Sequence, residues 1–362
     1  WPVNNYGNAI QVRMVLKAEK PDVVFANTDP RYLDYLFKMD NEIRSRCPLV
    51  FYHLWDDFPF PDYNVPAYKS CDRIITGSKF TYDLLLSEKD TLSDIDIDYV
   101  PIGFDPKVYK PLSREEKAQF RKTFNERTNN EFINAKFIIG VVGRHMFRKE
   151  LLSIIDAFSR WQKDKDGVAL FIHSPGHDEG GSLGYTIKKR YGKSSVILSD
   201  ASSGRINDNA MNMFYNFFDV LVNRSSAEGF GMPIAEAMLA GTPSIAVDCA
   251  GPQGLITPEN GWLLKADVKP MTGNATTPYI QIRYVTDEKF LNALDEAYYK
   301  RDVLQAKAAK CREYIVKNYN IKQMVEGIEK SLKSAFVSFK RYPEYTIHTW
   351  PKVKVSEDIN VK

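Results

Sequence analysis

With 362 residues the chain is too long for one ordinary domain and suits two, and its 44% apolar fraction is enough for sizeable cores. Its 49 basic and 46 acidic residues leave a net charge of +3, too even a balance to mark nucleic acid as the main partner. Four scattered cysteines (Cys47, Cys71, Cys249, Cys311) have no zinc or dithiol spacing, so buried thiols in a reducing, cytoplasmic setting are expected. No apolar run reaches bilayer length and no signal-peptide pattern opens the sequence.

Short apolar runs alternate with helical patterns. Strands are expected at 22–27, 48–53, 73–77, 96–102, 136–143, 168–174, 219–223 and 243–248. The first lies behind an opening, WPVNNYGNAI, that does not look like a native start. The second runs into FYHLWDDFPFP, where His53 and Asp56 are candidates for a cleft edge, and where His53 reads equally well as an ordinary strand-end histidine. DIDID (94–98) alternates its acids with Ile95 and Ile97, which reads as the polar face of a half-buried strand; no metal requirement is expected.

The polar, charged stretch from about 105 to 133 is the expected connection between two α/β domains. In RKELLSIIDAFSRW (148–161), Leu151, Leu152, Ile155 and Phe158 form one stripe. His173 and His177 in HSPGHDEGG are expected to line a cleft or the surface. KKRYGK (188–193) suits a helix C-terminus, and leaves room for an anionic membrane surface. A final helix is expected over 320–336, with Ile321, Met324, Val325, Ile328 and Leu332 on one face. Alternation of this kind implies an α/β fold with parallel sheets covered by helices.

The most informative stretch is SSAEGFGMPIAEAMLAGTP (225–243). A strand ending near Asn223 and a helix beginning near Pro233 place Glu228, Gly229, Phe230 and Gly231 in a strand-to-helix loop, the edge that faces a ligand crevice in a parallel sheet. The N–H groups of Phe230, Gly231 and Met232 would then face an anion or hydroxyls. Glu236, expected in the first helical turn, suits the two hydroxyls of a ribose, although the helix dipole alone also favours an acid there. A dinucleotide fingerprint fits poorly, because Ile234 holds the third glycine position.

Glu228 and Glu236 resemble the E-x7-E signature of retaining, nucleotide-sugar-dependent GT-B glycosyltransferases, the "group 1" family, and the wording is similar from Ala227 to Ile256. IIGVVGRHMFRKE (138–150) resembles that family's G-R-x4-K segment, with Gly143, Arg144 and Lys149 in the matching positions and Arg148 as a competitor for either cation's role. The resemblance implies two Rossmann-like domains facing across a cleft: an acceptor side over 1–125, a donor side over 126–320, and a segment 321–362 that crosses back. The family opens with a strand, a glycine-rich loop, a helix and a second strand, and no such unit is expected before residue 20, so either that unit is missing or the site is built differently. Arg144 and Lys149 would flank a diphosphate, Glu236 would hold ribose, and Glu228 and His53 the transferred sugar. The donor would be a nucleotide diphosphate sugar, with no cofactor and an open choice of acceptor (glycan, lipid, protein or small molecule). An epimerase of the same fold and a non-catalytic sugar-binding protein are the alternatives.

Overall fold

The computed structural model describes residues 6–128, 135–192, 195–202, 204 and 206–342. The first five residues, Lys193 of the basic knot and the tail from 343 lie outside them.

Two parallel sheets carry the chain. The first contains β1 (Val24–Asn27), β2 (Leu49–His53), β3 (Arg73–Thr76) and β4 (Asp96–Tyr99), in sequential order. Period-two alternation separates its faces. Leu49, Phe51 and Ile74 pack on one side with Phe37, Ile43 and Tyr68, whereas Val50, Tyr52 and Ile75 face the other. That other face is covered from a distance in sequence. The helix Ile321–Ser338 lays Met324, Ile328, Leu332 and Ala335 against it. Ile321 and Val325, expected on the same stripe, are instead exposed, because the helix contacts the sheet along a narrower seam. Asp96 and Asp98 both pair with the buried Arg73, at 2.6 and 2.7 Å, which accounts for two of the three DIDID acids.

The second sheet contains β5 (Phe137–Val142), β6 (Val168–Ser174), β9 (Val196–Asp200), β10 (Val220–Asn223), β11 (Ser244–Val247) and β12 (Gly261–Leu264). Two small hairpins join them: β7 (His177–Asp178) with β8 (Gly181–Ser182), and β13 (Met271–Thr272) with β14 (Ile280–Gln281). Strand order in the large sheet is β12-β11-β10-β5-β6-β9. The chain leaves β5 towards β6 and β9, then returns to β10 on the opposite side of β5. The β5/β10 boundary is therefore the switch point, where loops from adjacent strands diverge and open a crevice. The helix Leu151–Trp161 buries Leu151, Ile154, Ile155, Phe158 and Trp161 on one face of this sheet, while Leu152 stays exposed. The stretch expected as a connection forms a helix, Arg114–Thr128, whose Phe120 and Phe124 pack on Phe171, Phe214 and Phe217 at the other face.

Candidate functional site

Both loops flanking the switch point are shaped by their own sequence. After β5, Gly143 donates its N–H to His173 O at 3.1 Å, and a Cβ there would meet nothing within 4 Å. Phe147–Lys149 then form a single 3₁₀ turn, closed by Glu150 in the left-handed region at φ 54°. Arg148 and Lys149 thus precede the α-helix instead of opening it. After β10, Gly231 takes φ +95°, a conformation that favours glycine, and the helix Met232–Leu239 follows with Pro233 in its first turn. That helix buries Ile234, Ala235, Ala237, Met238 and Leu239. Glu236 is its one half-buried acid. It stands in the second turn, one turn later than expected from sequence, so the dipole at the helix start does not explain it.

Two cavities adjoin these loops. The first, of about 350 Å³, is lined by Gly143, Arg144, His173, Met232, Pro233 and Glu236, with Tyr109 and Tyr215 behind them. The Tyr215 hydroxyl donates to Glu236 Oε2 at 2.6 Å. Its ring is fully buried, and burial together with the neighbouring carboxylate drives the phenol pKa well above its ordinary value. The hydroxyl therefore stays a donor and fixes Glu236 in place. His173 is held by Ser199 at 3.1 Å, and burial lowers its pKa, so a neutral imidazole faces the cavity.

Arg144 stands at the mouth. Its guanidinium forks onto Asp178 (2.9 and 2.6 Å) and touches Glu179 at 3.3 Å. Lys149 goes elsewhere: its ammonium bonds the Glu228 carboxylate, and Arg148 Nη1 lies 3.8 Å from the same oxygen while donating to Ala227 O at 2.7 Å. Burial works to raise the Glu228 pKa, but Lys149 and Arg148 outweigh it and hold the carboxyl below its ordinary value. The structure thus brings Lys149 and Glu228 together, with Arg148 as a third member. Gly143, Arg144, Met232 and Glu236 gather in the first cavity.

The expectation for His53 changes. His53 is fully buried and lines none of the cavities described here. It packs among Phe51, Trp55 and Tyr68, its Nε2 is 2.9 Å from the Tyr68 hydroxyl, and burial lowers its pKa to about 4. It is a neutral core histidine, the ordinary strand-end reading. Phe230 turns its side chain into the core beside Phe104 and Tyr319, leaving only its backbone at the loop. Gly229 lies against the first half, where a Cβ would sit 2.9 Å from Asp56 Oδ1 of the loop after β2.

The second cavity, of about 670 Å³, lies between the two halves of the chain. Asp56, Trp55 and Tyr32 come from the first half, Phe147, Arg148 and Glu179 from the second. The segment carrying β13 and β14 borders it and ties the halves together. Arg283 forks onto Asp57 at 2.6 and 2.7 Å with both side chains buried, Gln281 N donates to Phe58 O at 2.6 Å, and Arg31 reaches Thr277 at 2.5 Å. Sequence reasoning missed Tyr215, Asp178, Asp57 and Arg283. Asp178 and Glu179 follow His177 directly in HDEGG, a pair of acids in a glycine-containing loop that is the signal for them in the sequence.

Among the described residues, no group of three or more His, Cys, Asp or Glu side chains is arranged to hold a metal ion. No helix there is long and apolar enough to cross a membrane. The four cysteines are free and buried.

Comparison with known proteins bears on the fold and on part of the chain. Residues 136–276 match the family model described as Glycosyl transferases group 1. A mannosylfructose-phosphate synthase from Agrobacterium fabrum is 25% identical over 181 residues, 49% of this chain and 38% of that enzyme, so the likeness spans well under half of the relative. Among solved structures, sucrose-phosphate synthase from Thermosynechococcus elongatus superposes with a TM-score of 0.68 at 15% identity, over 90% of this chain and 76% of that one. Anabaena HepE in complex with UDP-glucose gives 0.69 at 18% identity, over 89% and 81%. The fold is the GT-B architecture. Together the matches support a glycosyltransferase of group 1.

Proposed function

We propose that the chain transfers a sugar from a nucleotide diphosphate sugar to an acceptor hydroxyl, with retention at the anomeric carbon. The observation that carries this reading is the pairing, across one switch point, of a Tyr215-anchored Glu236 in a nucleotide-sized cavity with a Lys149–Arg148 cation pair around Glu228. A carboxylate held by a phenol accepts from the two hydroxyls of a ribose. Arg144, Arg148 and Lys149 oppose the negative charge that grows on the diphosphate as the glycosidic bond breaks. The N–H groups of Phe230, Gly231 and Met232, at the start of an eight-residue helix, add donors on the same side. Glu228 orients the transferred sugar.

In the step itself, the bond from the anomeric carbon to the phosphate oxygen breaks and a bond to the acceptor oxygen forms on the same face. The acceptor's proton passes to the departing phosphate oxygen. The protein supplies alignment and charge compensation, and no nucleophile is required of it. His53 has no part in this scheme. A non-catalytic carrier of free sugars gives no use to a cation beside the Glu236 cavity and two more around Glu228.

The test is incubation with UDP- and GDP-sugars and a panel of hydroxyl acceptors, followed by proton NMR of the product. Release of nucleoside diphosphate with an anomeric coupling that matches the donor supports the reading. Inversion at that carbon removes retention, and binding of free sugars without nucleotide binding favours the carrier.

A further inference from the structure

The small hairpin of β7 and β8 takes no part in the scheme above, yet its Asp178 meets Arg144 at the mouth of the first cavity. The seat of the hairpin does not depend on that arginine. Gly180 in the turn donates its N–H to His145 O at 2.7 Å. A Cβ on Gly180 would come within 2.6 Å of the buried His145 ring, so the turn lies directly on the imidazole and glycine is what fits. At the hairpin's base, Gly176 N donates to Asp200 Oδ1 at 2.7 Å and Ser202 Oγ at 2.9 Å, while Gly176 O accepts from Leu183 N at 2.9 Å. The backbone that carries Asp178 is therefore held in place by other contacts, and the Asp178 side chain is only 10% exposed.

Arg144 is the opposite case, a long side chain that is 57% exposed. Its bonds to Asp178 and Glu179 use Nε and Nη2. Among the described residues its Nη1 makes no hydrogen bond, which leaves two N–H donors on a residue that lines the first cavity. The bond from Arg144 holds the Asp178 carboxyl below its ordinary range, so the clamp is charged at neutral pH. An arginine already immobilised along one edge loses less freedom when its other edge takes a ligand.

We infer that Asp178 is a positioning residue, which clamps one edge of Arg144 and leaves Nη1 to the diphosphate of the donor. The inference rests on the nucleotide-sugar reading and deepens it. Asp178 takes one edge of the guanidinium and leaves the other, which separates a holder from a competitor for the whole group.

The experiment titrates the full chain and its Asp178→Asn variant with UDP and uridine, and with GDP and guanosine, by saturation-transfer NMR. For whichever diphosphate the wild type binds, Asp178→Asn should weaken affinity fivefold or more and leave the matching nucleoside within twofold. Retained nucleoside binding also reports that the first cavity is folded. Gly180→Ala, which moves the turn off His145, should reproduce the split. Unchanged diphosphate affinity in Asp178→Asn overturns the inference, as does a Gly180→Ala variant that binds like wild type. Tighter diphosphate binding overturns it by marking Asp178 as a competitor, and equal weakening of diphosphate and nucleoside does so by showing a structural role alone. A wild type that binds neither UDP nor GDP removes the underlying reading instead, so the two failures are distinct.

Discussion

Tyr215 donates its hydroxyl proton to Glu236 at 2.6 Å, and this bond links the aromatic core of the second sheet to the wall of the first cavity. Its ring is wedged among Tyr109 and Phe218, so the hydroxyl has little freedom to leave. Tyr215→Phe keeps the ring and removes the anchor. A hydrogen bond to a charged group contributes about 1.5–3 kcal/mol, so nucleoside diphosphate affinity should fall by roughly tenfold or more. The folded protein loses the same bond without a ligand, so the melting temperature should also fall, by a few degrees. Calorimetric titration beside thermal unfolding checks both, and equal affinity in the variant would detach Glu236 from the donor.

Lys149 and Glu228 form a nearly buried ion pair. Breaking such a pair from one side leaves an uncompensated charge, at a cost of about 3–5 kcal/mol. Lys149→Met should therefore lower both stability and turnover. The double variant Lys149→Met/Glu228→Gln should recover much of the stability and none of the turnover, with kcat down about 100-fold or more. Recovery of activity in the double variant would show the pair to be structural only.

His53 makes stability depend on pH. In the unfolded chain it takes up a proton near pH 6.5, but in the folded protein only near 4. Between those values the unfolded state binds more protons, so stability falls as pH drops from about 6.5 towards 4, by up to roughly 3 kcal/mol. His53→Gln should flatten that limb in urea unfolding curves taken from pH 7 to 4.5. Glu228 acts lower on the scale. Its depressed carboxyl contributes stability above the ordinary glutamate range, and this is lost as pH falls through its folded value. Parallel curves for wild type and His53→Gln would contradict the assignment of a buried, neutral imidazole.

Asp57 and Arg283 join the two halves through a fork with essentially no exposure. Burial raises the Asp57 pKa even with the guanidinium alongside, which marks how far the pair is withdrawn from water. Asp57→Ala leaves Arg283 with Asp248 alone, and should cost up to about 3–5 kcal/mol in chemical denaturation. Proteolysis should then cut first within 269–285, the segment that the pair holds down. A variant that unfolds like wild type would place the link between the halves elsewhere.

Where a strand is a run of branched or aromatic side chains, the sequence reveals it: VFAN, LVFYH and FIIGVV all lie in parallel strands as expected. β9 and β12 were missed. One ends in polar residues at the sheet edge, and the other is four residues long behind a turn. Faces are harder than elements. Leu152, Ile321 and Val325 fit the helical period yet point to solvent, because packing uses a narrower arc than periodicity permits. At the site, Glu228, Glu236, Lys149 and Arg144 were legible as residues, but their partners were not. Asp178 is 34 residues from Arg144, and Tyr215 stands in FYNFF, which reads as core and is core. Glu150's left-handed backbone also moved Arg148 and Lys149 off the helix start, a detail that no propensity announces.

The account depends most on one claim, that the hollow at the β5/β10 switch point receives a nucleoside diphosphate. A crystal structure with UDP or GDP bound tests it directly. The ribose hydroxyls are expected within hydrogen-bond distance of Glu236, and the diphosphate oxygens against Arg144, Arg148 or Lys149. Nucleotide bound at another surface, or a ribose that leaves Glu236 untouched, would contradict it.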